Sequence, residues 1–206
     1  MRFDLHVHTT VSPCSNLDMG DILQNARDFG LDGICITDHQ TMKIRHSFKE
    51  GVQDDGLCVI VGMEYTTSDG DFLVFGTLED ISPDLSAVEL FERLEKCGGV
   101  AVAAHPFRNL RPVDEYLIQE GLCGIIETLN GRNSYLENLR ADHCRRKYDL
   151  THTGGSDAHS LEELGKVVTR FTMPVKSRSD LVFALKNNRC YPEWNMPGQL
   201  SRAGIS

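Results

Sequence analysis

Asp4-Leu5-His6-Val7-His8 is an apolar strand pattern broken by imidazoles, and near the other end of the chain Gly155-Ser156-Asp157-Ala158-His159 has the same character. Side chains two positions apart on a strand leave the same face. His6 and His8 can therefore converge on one cation, and Asp157 with His159 can approach it from across the fold. Three more apolar runs end in similar chemistry, at Thr37-Asp38-His39, Met63-Glu64 and Ala104-His105-Pro106. One histidine alone is more often packed or exposed than a ligand. Here His6, His8, His39, His105 and His159 all end apolar runs, while His46, His143 and His152 occupy ordinary positions. Imidazoles and carboxylates gathered at strand ends are how a protein binds zinc, manganese or iron and leaves positions open for water and substrate.

Strand-length apolar runs recur at 3–7, 33–37, 58–63, 72–75, 100–104, 124–129, 151–155 and 167–173. Helical spacing lies between many of them. Residues 18–29 carry Met19, Ile22, Leu23, Ala26 and Phe29 at helical intervals before Gly30, and 85–97 repeat the pattern before Gly98-Gly99. Further helices are predicted over 133–148 and 179–188, the second with Ser179 as N-cap. Alternating strands and helices with short Gly-marked connections predict an α/β fold with a parallel sheet buried on both faces. An open sheet gathers its ligand at one switch point, whereas a barrel brings the C-terminal ends of all its strands to one rim. Ligands from so many strands meet most easily in the barrel. With no internal repeat or linker, one domain over 1–206 is expected.

At 206 residues, 40% hydrophobic and 25% charged, the chain can bury a full core. It has no apolar run of about eighteen residues and no hydrophobic leader after Met1, so a cytoplasmic protein without a membrane span is expected. Seven scattered cysteines with no C-x-x-C pair are not a disulfide framework. A formal net charge of −9 with no basic run argues against a large duplex or a membrane as partner.

Taken in order, Asp4-Leu5-His6-Val7-His8-Thr9, Ile36-Thr37-Asp38-His39, Gly62-Met63-Glu64, Ala104-His105-Pro106, Glu127-Thr128-Leu129-Asn130 and Gly155-Ser156-Asp157-Ala158-His159 resemble the motifs of the PHP family. The name stands for polymerase and histidinol phosphatase. The resemblance implies a distorted, TIM-like (β/α)7 barrel and a metal-dependent phosphoesterase. It further implies that His6, His8, Glu64 and Asp157 hold one metal, that Glu64 bridges to a second shared with His105, and that His39 and His159 serve a third where one is present. Two or three divalent ions follow, as manganese, zinc or iron. Asp38 is read as a catalytic-site residue that can also orient a ligand imidazole from behind. Glu127 and Asn130 are open between site and structural roles.

Two departures from the family pattern stand out. After the first strand the chain reads Ser12-Pro13-Cys14-Ser15, where the family offers an Asp or His; Cys14 as thiolate, Asp18 reaching in, and a weak or absent third metal all remain open. After Glu64 the chain has Gly70-Asp71-Phe72 in place of a Gly-His step. Asp71 as a ligand would shift preference toward harder ions; the alternative is a turn aspartate. For a substrate phosphate, Arg108 is the first candidate because a guanidinium fork matches phosphate, with Arg132 and Lys166 behind it. The expected function is hydrolysis of a small phosphate ester, a nucleotide or phosphorylated metabolite, by metal-activated water. The alternatives are a catalytically silent metal-binding domain, regulatory or structural, and a nuclease acting on short single strands, which would need aromatic surfaces near the rim.

Overall fold

The computed structural model describes residues 1–77 and 81–195. In chain order the elements are β1 (Arg2–Val7), α1 (Met19–Asn25), β2 (Gly33–Ile36), β3 (Gly51–Val52), β4 (Cys58–Val61), β5 (Met63–Thr67), β6 (Gly70–Phe75), α2 (Ala87–Lys96), β7 (Val100–Ala103), α3 (Glu115–Gln119), β8 (Ile125–Asn130), α4 (Tyr135–Tyr148), β9 (Thr151–Gly155), β10 (Val167–Phe171), α5 (Arg178–Lys186) and β11 (Cys190–Trp194). A single 3-10 turn, Lys43–His46, follows β2.

The helices start where side chains satisfy their first free N–H groups. Ser86 with Glu89 and Ser134 with Glu137 form reciprocal capping boxes on α2 and α4. Asp18 caps α1, and Ser177 caps α5 by accepting from the Asp180 N–H. The serine two residues later, expected as that cap, lies inside the helix, because it is Ser177 that takes the extended backbone a cap requires.

The strands form two sheets, one ordered β11-β10-β1-β2-β4-β3 and the other β5-β6-β7-β8-β9. The parallel pairs β1/β2, β2/β4, β7/β8 and β8/β9 match expectation. Elsewhere the pairing is antiparallel: β3/β4, β5/β6, β6/β7, β1/β10 and β10/β11. The fold is thus mixed α/β, and the described strands do not close into one continuous ladder. Beyond their packed faces, isolated backbone bridges join the sheets at Val7 to Ala158 and His39 to Glu64.

The common core takes Phe3, Leu5, Cys35, Ile60, Leu73, Phe75, Val102 and Ile125 from both sheets and Leu181, Ala184 and Leu185 from α5. The second sheet's other face packs on α2, α3 and α4, and the first sheet's on α1. Two register shifts aim side chains toward the site. One lies between Asp4 and Val7 opposite β2, and the other between Glu127 and Leu129 opposite β9. In a regular strand Glu127 and Asn130, three apart, would face opposite ways; the extra residue of the bulge turns both inward.

Candidate metal centre

His6 on β1, His8 just beyond it, Glu64 on β5, His105 after β7 and Asp157 after β9 are all buried, with His39 and His159 part-exposed beside them. His6 Nε2 lies 3.4 Å from Glu64 Oε2 and 3.6 Å from Asp157 Oδ1, and His8 Nε2 lies 3.3 and 3.4 Å from the same oxygens. Donors about 2.0–2.1 Å from a shared tetrahedral centre would stand roughly 3.3–3.4 Å apart, close to these imidazole–carboxylate separations. The hydrogen-bond accounting agrees. His6 Nε2 and both nitrogens of His8 are buried without a hydrogen bond, an arrangement that costs free energy unless an ion takes the lone pairs.

Glu64 divides its oxygens. Oε2 faces His6, His8 and, at 2.9 Å, His39 Nδ1, while Oε1 is 2.9 Å from His105 Nε2. Among the described residues, three groups of donors lie close enough to hold an ion: His6, His8 and Asp157; His6, Glu64 and His105; and His8, His39 and His159. Two of these residues have strained backbones for non-glycine residues, His105 at φ 31° and Asp157 at φ 55°. Strain of this kind persists only where the surroundings impose it.

The electrostatics favour positive charge. Burial pulls the His6 imidazole down, but Asp157, Glu127 and Glu64 outweigh it and hold the group well above its usual value. Burial pushes Glu64 up, and the His6 charge with hydrogen bonds from His105 and His39 brings it well below the carboxylate range. Asp157 is likewise held low against burial, by His6 and His8. Metal uptake would displace protons from the same nitrogens.

The remaining sequence candidates sort by what they touch. Arg108 places Nη2 2.7 Å from Asp157 Oδ2 and 3.0 Å from Asn130 Oδ1, with Nε donating to Asn133 Oδ1. The guanidinium expected to grip phosphate is thus already engaged with Asp157 on one edge. Arg132 sets Nη1 2.8 Å from His159 Nδ1. Asp38 turns away from the imidazoles: its oxygens accept from Thr9 N, Thr9 Oγ1 and Ser12 Oγ at 2.6–2.7 Å, and Ser12 Oγ in turn accepts from the His39 N–H. It braces the loop after β1. Asp71 lies on the face of β6 shared with Glu64, since Asp71 pairs with Thr66 and Leu73 with Glu64. Its carboxylate is nevertheless occupied by Arg111 Nη2 at 2.9 Å, and it joins none of the three donor groups. Asp18 serves as a helix cap, and the Lys166 charge acts on Glu162.

Sequence reading missed Asp4, whose carboxylate accepts from the Ser156 and Gly165 N–H groups and from Ser156 Oγ, tying β1 to the segment that carries Asp157. It also left Glu127 open. The available signal was a carboxylate inside the apolar run Ile125-Ile126-Glu127-Thr128-Leu129, since a buried charge demands partners.

Cys14 is exposed and belongs to no donor group. Partial burial and the charges of Glu64 and Asp157 push its thiol up. Burial pushes Cys190 up to about 12 and Cys58 and Cys123 up to about 11. Iodoacetamide at pH 8 should therefore alkylate Cys14 first in the native protein and Cys190, Cys58 and Cys123 only on unfolding, as read by peptide mass spectrometry. Protection of Cys14 by added metal would instead give it a ligand role.

The PHP domain profile matches residues 4–116, more than half of the chain, and the PHP-associated profile matches 136–190. The chain belongs to the PHP family of metal-dependent hydrolases, which includes phosphoesterases and nucleases. Among its relatives, the uncharacterized protein MJ0417 of Methanocaldococcus jannaschii is 30% identical over 183 residues, 84% of this chain and 71% of that one. PsfC from Pseudomonas syringae PB-5123 shares the fold with a TM-score of 0.76 at 22% identity, over 94% of this chain and 91% of that one. The lesion-specific endonuclease PfuEndoQ from Pyrococcus furiosus shares it at 0.66 and 19%, over 90% of this chain but 56% of its own length. Among the described residues no helix is long and apolar enough to cross a membrane.

Proposed function

We propose that the chain is a metal-dependent phosphoesterase that hydrolyses a small phosphate ester, a nucleotide or phosphorylated metabolite, within a single catalytic domain. The two sheets are read as the halves of a distorted (β/α)7 barrel, with the donors at its rim. The observation that carries the proposal is the convergence of unpaired His6 Nε2 and His8 Nε2 on Glu64 and Asp157. His6, His8, Asp157 and Glu64 would hold one ion, Glu64 and His105 a second, and His39 with His159 a third, as manganese, zinc or iron. Divalent ions there would polarise a phosphoryl oxygen and supply an activated water.

The chain's own groups do the rest. Glu64 keeps two centres together because each of its oxygens faces different imidazoles. Arg108 fixes Asp157 with Nη2 and keeps Nη1, for which no partner is recorded among the described residues, for a phosphate oxygen. Arg132 sits at the same rim beside His159 and adds a second positive charge. Endonuclease Q has been seen with a 27-mer DNA duplex that carries an abasic lesion. A net charge of −9 favours the small ester over such a polyanion.

The test is hydrolysis of a chromogenic phosphate ester, with elemental analysis of the same preparation. Turnover should require manganese or the native metal, vanish on chelation with EDTA and return on adding metal back. Metal bound at full stoichiometry with no turnover of mono- or diesters would mark a catalytically silent domain.

A further inference from the structure

We propose that Glu127 is a positioning residue of this centre: it fixes which nitrogen of His6 meets the metal and locks the backbone at His105. The inference rests on the metal-binding reading above. Glu127 is fully buried and is absent from all three donor groups, so its charge needs another use. Its Oε1 lies 3.1 Å from His6 Nδ1. Its Oε2 accepts the His105 N–H at 2.8 Å and the Asn130 side-chain amide at 2.9 Å.

Both oxygens are thus spent on neighbours of the ion. With Nδ1–H donated to Glu127, the lone pair of His6 lies on Nε2, the nitrogen left unpaired toward Glu64 and Asp157. A carboxylate behind an imidazole also raises its basicity and hence its grip on a cation. At His105 the same residue holds an N–H whose backbone sits at φ 31°, a conformation that needs an external partner.

Two features of the chain make room for this arrangement. The bulge in β8 turns Glu127 and Asn130 to one side, and Gly155 on the facing strand leaves the space that Glu127 and His6 use. A Cβ at Gly155 would lie 2.9 Å from Glu127 Oε1 and 2.4 Å from His6 Cβ.

Glu127→Gln keeps the shape but replaces one acceptor with an N–H2 group. That group must oppose either the His6 Nδ1–H or the His105 N–H, and both are donors. Zinc and manganese titrations of wild type and E127Q, each competed against a chromophoric chelator, read the consequence. Affinity should fall about 10–100-fold in the variant. Nitrogen-15 NMR of the zinc-loaded wild type should show His6 bound through Nε2, with a slowly exchanging Nδ1–H, and E127Q should shift or lose that proton. Equal affinities in the two proteins overturn the inference while leaving the metal centre intact. A wild-type His6 bound through Nδ1 overturns it even if E127Q fails to fold. A wild type that takes up no ion overturns both this inference and the function on which it rests.

Discussion

Glu64→Ala should strip the protein of most of its bound metal and lower phosphate-ester turnover by on the order of 10³-fold, since ionic stabilisation of the transferring phosphoryl group is worth several kcal/mol. The two oxygens of Glu64 face His6, His8 and His39 on one side and His105 on the other. Its loss leaves four imidazoles without the anion that gathers them. His143→Ala is the control, because His143 is exposed on α4 and belongs to no donor group. Elemental analysis and a turnover assay on both variants decide the matter. Equal effects would sink the assignment.

Gly155→Ala should destabilise the fold by about 3 kcal/mol, or roughly 6–12 °C in Tm for a chain of this size. The added Cβ would stand 2.4 Å from His6 Cβ and 2.9 Å from the His6 backbone nitrogen. Neither atom belongs to the far end of a flexible side chain, so β1 and β9 must separate. Gly124→Ala makes the comparison, since nothing lies within 4 Å of a Cβ there. Thermal unfolding should leave Gly124→Ala near wild type, and a Gly155→Ala protein as stable as that control would show that the strands yield without cost.

Much of the site was legible because ligand chemistry announces itself locally. An imidazole or carboxylate at the end of an apolar run needs no knowledge of partners to be noticed, which is why His6, His8, Glu64, His105 and Asp157 stood out. What stayed hidden depends on pairing. A strand buried on both faces reads as a continuous apolar run whichever way its neighbour runs, so the reversals at β6 and β10 left no trace in the pattern. The bulge that turns both Glu127 and Asn130 inward is a property of two strands read together. Asp71 shows a third limit: its face was inferable, but its partner Arg111 lies 40 residues away on a loop. Asp38 similarly found Thr9 and Ser12 before it could reach any imidazole.

The two single bridges between the sheets, Val7 to Ala158 and His39 to Glu64, lie at or next to donor residues. Backbone pairing at each join is short and does not extend into a ladder. Ions held by His6 and His8 from one sheet and by Glu64 and Asp157 from the other side of each join would work as rivets instead, closing a loop of some 150 residues between the first and last ligands. Ions that bind the folded chain and are released on unfolding stabilise it by mass action. Folding stability would then track the supply of metal around the molecule, rising by about 2.7 kcal/mol when free metal exceeds its dissociation constant a hundredfold.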